Sequence, residues 1–351
     1  MMRGEPIRSD DLSALATDAL RPDCKQSATP ELDSRPPQLR GERKQCYFTI
    51  DFEDFLHDFQ RARGIRAPRQ GPEALTAGYE IIDNFAQDAL SGARLTFFVT
   101  GQVARDYPDI VRRIAADGHE IGCHYYEHDQ IRDHDPPTFR RNLERAVDVL
   151  SAASGQPVKG FRAPDFSIDA RCAHWAYKVL SEVFVYDSSH VSTHHDGAPH
   201  HPQLRRFADS ELHEFAIYWR PLTPGLGVRV VGGTYLRLLP AKLVTSLLDE
   251  AWEKGFVPQV YLHPYDLLAD YEQWSTYSDL SDLPQPARLY WWVRQHQWHS
   301  VGNRGVMRKL RHVYQKFVHP GPLGHALERD AQPCGPVKPS VEPPTPARRP
   351  Q

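Results

Sequence analysis

From residue 46 to residue 262 short apolar runs of strand length alternate with stretches whose apolar residues recur at helical spacing, and this rhythm constrains the fold more than any single motif. A buried-strand run over 46–50 ends in a burst of acid, Asp51-Phe52-Glu53-Asp54. The pattern then predicts a helix near 72–90, a strand over 95–99, and a helix with Pro108 in its first turn and Gly118 as terminator. Pro136 and Pro137 open a helix that places Phe139, Leu143, Val147 and Leu150 on one face and stops by Gly155. Further strands are expected near 158–161 and 183–186, with a helix near 170–181 between them. A strand pair near 213–218 and 228–231 breaks the rhythm, and a helix over 240–254 and a strand over 256–262 restore it. Parallel strands joined by helices, about seven in number, predict an α/β, TIM-barrel-like closure rather than an open doubly wound sheet. Gly232-Gly233 lacks the spacing of a dinucleotide fingerprint and reads as a tight turn.

The flanks have a different composition. Residues 1–44 and 320–351 are rich in Pro, Ser and charge, so disordered tails are expected on a single domain over 45–319. The N-terminal stretch has no apolar core of signal-peptide length, and no uninterrupted membrane-spanning run occurs, so a cytoplasmic location is the expectation. A formal net charge of -3 gives no electrostatic footprint of a nucleic-acid binder. The five cysteines, Cys24, Cys46, Cys123, Cys172 and Cys334, form no CxxC pair and read as reduced thiols.

In a barrel the chemistry gathers at the C-terminal ends of the strands. Asp51-Phe52-Glu53-Asp54, His124 with His128, Arg162-Ala163-Pro164-Asp165-Phe166, Asp187-Ser188-Ser189 and His263-Pro264 each follow an apolar run directly. His124 and His128, four residues apart where a strand opens into a loop, can turn both rings to one point as metal ligands. In a chain with 18 histidines that spacing alone is ambiguous, and an open catalytic site needs a third, acidic ligand.

These runs, together with Thr96-Phe97-Phe98-Val99-Thr100-Gly101 and Gly118-His119-Glu120-Ile121-Gly122-Cys123-His124, resemble the successive motifs of the polysaccharide deacetylases, carbohydrate esterase family 4, with its NodB homology domain. The Asp-x-Glu-Asp variant, Tyr186-Asp187-Ser188-Ser189 and the run from Gly232 to Pro240 are similar to the branch associated with exopolysaccharide gene clusters and exosortase systems. The resemblance covers roughly residues 46–318. It implies a distorted (β/α)7 barrel and a divalent metal, usually zinc, with Co2+, Ni2+ or Fe2+ as substitutes. The implied activity is hydrolysis of the N-acetyl group from N-acetylhexosamine residues of an acetylated glycan.

Carried over by motif, Asp51 is the general base and His124 and His128 are metal ligands. The acidic ligand has two candidates: Asp54 is preferred because its shorter side chain suits the family's Asp, and Glu53 stays open because an ideal strand puts it on the face of Asp51. Arg162 is expected to hold the Asp51 carboxylate, and His263 to protonate the departing amine with Asp187 keeping its ring charged and oriented. Hydrolysis of another C–N bond, such as a small cyclic amide, and a non-catalytic carbohydrate-binding barrel are the alternative functions.

Other features carry plainer readings. The cluster His190, His194, His195, His200 and His201 reads as a solvated loop, and Phe166, Trp219 and Tyr235 as packing or as sugar-stacking aromatics. The basic, aromatic segment 287–318 reads as a terminal helix packed on the barrel, with contact to a membrane or an anionic polymer as its other reading.

Overall fold

The computed structural model describes residues 43–66, 71–194, 212–223, 226–269 and 274–330. In chain order the elements are β1 (Tyr47–Phe52), α1 (Phe55–Ala62), α2 (Glu73–Ala89), β2 (Thr96–Val99), α3 (Gly101–Asp106), α4 (Pro108–Ala116), β3 (Glu120–Cys123), α5 (Pro136–Ser154), β4 (Gly160–Phe161) and α6 (Ala173–Val183). There follow β5 (Tyr186–Asp187), β6 (Val191–Ser192), β7 (His213–Glu214), β8 (Ile217–Thr223), β9 (Leu226–Val230), α7 (Gly233–Leu238), α8 (Ala241–Glu253), β10 (Gln259–Leu262), α9 (Gln285–Ser300), α10 (Val306–Lys316) and α11 (Leu323–Asp330).

Seven strands form one curled sheet in the order β10-β1-β2-β3-β4-β5-β7, and each neighbouring pair is parallel. This is the expected α/β barrel in its distorted form. Its two edges, β10 and β7, are spanned by the antiparallel hairpin β8–β9, whose outgoing end pairs with β10 through Val231 N–H to the Gln259 carbonyl at 2.9 Å. Of the strand pair read near 213–218 and 228–231, residues 213–214 are β7 of the main sheet, and the rest falls in this hairpin.

The helices pack their apolar faces on the sheet. Leu75, Tyr79, Ile82 and Phe85 of α2, and Phe139, Leu143, Ala146 and Leu150 of α5, recur at three- and four-residue spacing and are buried. Asp135 caps α5 by accepting the Thr138 N–H at 2.7 Å, Pro136 fills the first turn, and Gly155 ends the helix in the left-handed region at φ 67°.

Boundaries moved where flanking signals were weak. Val183 closes α6, and the strand read over 183–186 is Tyr186–Asp187. Residues 323–330, expected to be tail, form α11 on the sheet: Leu323 is buried with its N–H on Thr96 Oγ1 at 2.9 Å, and Gly324 N–H meets Glu120 Oε2 at 3.1 Å; the rest of that expected tail lies outside the described residues. The segment 287–318 holds two helices, α9 and α10, rather than one. Cys46, Cys123 and Cys172 are buried free thiols, and burial pushes Cys46 up to about 12. Cys24, Cys334, His195, His200 and His201 lie outside the described residues. No described helix is long and apolar enough to cross a membrane.

Candidate active site

The alternation of side chains along β1 turns Thr49 and Asp51 to the same, interior face. Arg162, one residue beyond β4, meets them there with no exposed surface. Its Nη1 donates to Asp51 Oδ1 at 2.7 Å and to Thr49 Oγ1 at 3.0 Å. Its Nη2 donates to Ser188 Oγ at 2.9 Å and to Gln259 Oε1 at 2.8 Å, and its Nε to the Ser188 carbonyl at 3.3 Å. All five guanidinium N–H groups therefore have partners, so the Asp51 carboxylate is held by a group that is itself fixed from three strands. The expected pairing of Asp51 with Arg162 is present.

Glu53 continues the same face and reaches the two imidazoles, its Oε2 lying 2.8 Å from His128 Nε2 and 3.4 Å from His124 Nε2. His124 Nδ1 is engaged by the Arg162 carbonyl at 2.8 Å, which fixes the ring and leaves Nε2 aimed at Glu53. Asp54, the preferred acidic ligand, is placed elsewhere. Asp54 is the N-cap of α1, its Oδ1 accepting the His57 N–H at 3.1 Å, so a short side chain at a helix start is used on the backbone. The alternative, Glu53, is the residue placed with the histidines.

The trio fits a divalent ion. Ligand atoms of Glu53, His124 and His128 lie within 4.8 Å of one another, and Glu53 Oε2 and His124 Nε2 are buried with no hydrogen-bond partner. Two imidazole nitrogens and one carboxylate oxygen turned to one point are the donor set of an open catalytic site. Burial works to raise the Glu53 carboxyl, yet the charges of His128 and His263 outweigh it and hold Glu53 well below the ordinary range. Burial lowers His128, and the Glu53 carboxylate overcomes this and lifts it to about 10. The field at this point is thus strongly favourable to positive charge. A second group, His57, Asp58 and Glu127, is differently balanced, because Arg61 and Arg105 approach Glu127 at 3.6 and 3.4 Å and supply the positive charge themselves.

His263 stands beyond β10 with Nε2 3.8 Å from Glu53 Oε1. Its expected partner, Asp187, is elsewhere: buried, accepting Ser189 N–H at 2.9 Å and Ser189 Oγ–H at 2.7 Å, and facing Glu214. Burial and the Asp187 charge push Glu214 well above its ordinary range. The His263 partner is Asp266, whose Oδ2 takes Nδ1 at 2.9 Å and the His263 N–H at 3.0 Å. The buried Arg237 lies 2.9 Å from the other Asp266 oxygen. Gly233 makes room for this pair, since a Cβ there would lie 1.9 Å from Asp266 Oδ2. Burial lowers His263, but Glu53 and Asp266 together raise it to about 9, so its ring is charged at neutral pH.

An Asp266→Asn change is accordingly expected to lower the pH at which His263 deprotonates by at least one unit, roughly the effect of losing one close opposite charge. Asp187→Asn should leave that titration in place. Following the His263 ring resonances by NMR against pH in both variants checks the assignment; a larger shift in the Asp187 variant would reverse it.

Asp51, Glu53, His124, His128 and His263 all line one cavity of about 720 Å³. Phe166 and Tyr235 reach its wall, as do Gly232 and Gly233 at the start of α7, while Trp219 does not. Phe59, Asp58 and Trp298 also line it, and sequence reading missed all three together with Asp266 and Arg237. The local signal for Asp266 was its place three residues after His263, across a short turn opened by Pro264.

A sequence model described as polysaccharide deacetylase matches residues 89–215. A peptidoglycan-N-acetylglucosamine deacetylase of Bacillus cereus is 31% identical over 97 residues, covering 28% of this chain and 34% of that protein. A chitooligosaccharide deacetylase of Azorhizobium caulinodans is 36% identical over 73 residues, covering 20% and 35%. The matches therefore span about a third of the length of these curated relatives. Among solved structures, a putative polysaccharide deacetylase from Mycobacterium smegmatis aligns with a TM-score of 0.45 and 20% identity over 81% of this chain and 96% of that one. With its strand-end motifs in order, the chain is similar over residues 89–215 to the polysaccharide deacetylase family.

Proposed function

We propose that this protein is a metal-dependent N-deacetylase acting on N-acetylhexosamine residues of a polysaccharide or glycan intermediate, with exopolysaccharide synthesis as its setting. The observation that carries the reading is the convergence on one cavity of a carboxylate base restrained by Arg162, a trio of ion ligands and a charged imidazole.

Glu53, His124 and His128 would hold the divalent ion, zinc by the nature of the donor set. When bound, such an ion polarises the acetyl carbonyl and lowers the pKa of water. The chain's own residues do the rest. Asp51, kept from swinging toward the ligand trio by Arg162, accepts a proton from the attacking water. His263, charged and oriented by Asp266, donates its proton to the sugar nitrogen as the C–N bond breaks, so that acetate and a free amine leave. Removal of His263 should therefore lower turnover on the order of 10²- to 10⁴-fold without loss of the ion.

The test is acetate release from N-acetylated oligosaccharides by protein stripped with a chelator and reloaded with zinc. Release is expected to return with zinc and to vanish in Asp51→Asn. One equivalent of zinc bound with no release from a broad panel of acetylated glycans would overturn the reading.

A further inference from the structure

Helix α9 has two unlike sides. Its inner side packs Trp291 and Trp298 with Phe55 and Phe59, and buries Gln295 and His299. Its outer side presents Leu289, Tyr290 and Val293 at 54%, 58% and 53% exposure, which the 100° step of a helix gathers into one strip. Three large apolar side chains exposed together on one helix are unusual for a face that meets only water.

Charge says what they meet. Residues 285–318 carry seven Lys or Arg and no Asp or Glu, in a chain whose net charge is -3. Arg304, Arg308 and Arg311 follow at helical spacing along the start of α10 and are exposed, as is Lys316. Among the described residues no carboxylate lies within 4 Å of Arg294, Arg308, Arg311 or Lys316. Exposed branched aliphatics next to tyrosine and unpaired cations match an anionic lipid surface, where the apolar strip enters the headgroup boundary and the cations stay among phosphates. A polysaccharide chain would use ring faces and polar groups and gain little from Leu289 and Val293.

We propose that α9 seats this protein on an anionic bilayer through Leu289, Tyr290 and Val293, with the cations of α9 and α10 supplying the electrostatic attraction. The cavity opens beside this helix, because Trp298 lines it and Arg63, which also lines it, stacks 3.7 Å over Trp291. The inference does not rest on the deacetylase reading.

The experiment is co-sedimentation of the full chain with vesicles of phosphatidylcholine, with and without phosphatidylglycerol. Binding is expected only with phosphatidylglycerol and should weaken with salt. The triple change Leu289→Ser, Tyr290→Ser, Val293→Ser should reduce it at least about tenfold, and Arg308→Glu with Arg311→Glu at least about 25-fold, roughly fivefold per cation. These side chains are exposed, so circular dichroism should be unchanged. Equal binding by the triple serine protein, or no binding to either vesicle, overturns the proposal. So does undiminished binding of the triple serine protein to alginate without vesicle binding, which assigns the surface to an anionic polymer. A dimer that the serines dissolve in analytical ultracentrifugation assigns it to a second copy instead. Acetate release from a soluble oligosaccharide is expected to be unchanged in these variants; its absence in every form would remove the deacetylase reading and leave the vesicle result standing.

Discussion

Glu53→Gln is expected to weaken divalent-ion binding by more than roughly 100-fold, since even changes in groups that merely support a ligand cost 10- to 100-fold. Acetate release should fall with it at limiting zinc. The amide keeps the size of the carboxylate but removes the charge that lifts His128 and His263, so the favourable field at Glu53 Oε2, His124 Nε2 and His128 Nε2 collapses. Asp54→Asn is the contrast. Asparagine caps helices nearly as well as aspartate, so this variant should retain its zinc and stay within about 1 kcal/mol of the parent in stability. Equilibrium dialysis with zinc, run on both variants, separates the two acids. Loss of zinc from the Asp54 variant with retention in the Glu53 variant would restore the assignment that the short side chain suggested.

Arg162→Met should be the most damaging single substitution in the barrel. It leaves Asp51 buried at 3% exposure with its charge uncompensated, and it removes the donors that satisfy Thr49, Ser188 and Gln259. Breaking a buried pair from one side costs about 3–5 kcal/mol. Activity should be lost as well, because Asp51 would either take up a proton or move toward the ligand trio. Arg162→Lys should recover only a part of the stability, since an ammonium has three donors where five are used. Urea unfolding of the three proteins measures this. A methionine variant within about 1 kcal/mol of the parent would show that the pair contributes specificity and not stability.

Much of this site is legible in the sequence, for a physical reason. Strands buried on both faces are apolar along their whole length, so Asp51, His124, Arg162 and His263 stand out as polar residues that follow them directly. The exceptions share a cause. The use of Asp54 depends on where α1 begins, a local backbone question that the strand pattern does not address. Asp187 was paired with His263 by motif, but its actual neighbour, Glu214, lies on a strand 27 residues away, and only the sheet order brings them together. Arg237 reaches Asp266 through the packing of α7 against the turn after β10, which no periodicity encodes. Helix α11 was read as tail because prolines at 320 and 322 precede it, although Leu323 and Ala326 already carried a buried spacing.

The seam between β10 and β7 has one more consequence. Among the described residues no backbone ladder joins these edges directly; Gln259 on β10 instead donates to the Phe215 carbonyl just past β7 at 2.8 Å, while its oxygen takes Arg162 and its amide also approaches Ser188 Oγ at 3.2 Å. The same side chains that fix Asp51 therefore act as the clasp of the barrel. In such an arrangement the geometry around Asp51 and mechanical integrity are a single property. Variants of this chain selected only for resistance to unfolding should leave Arg162, Ser188 and Gln259 untouched, and libraries that randomise them for altered activity should return mostly proteins that have sprung open.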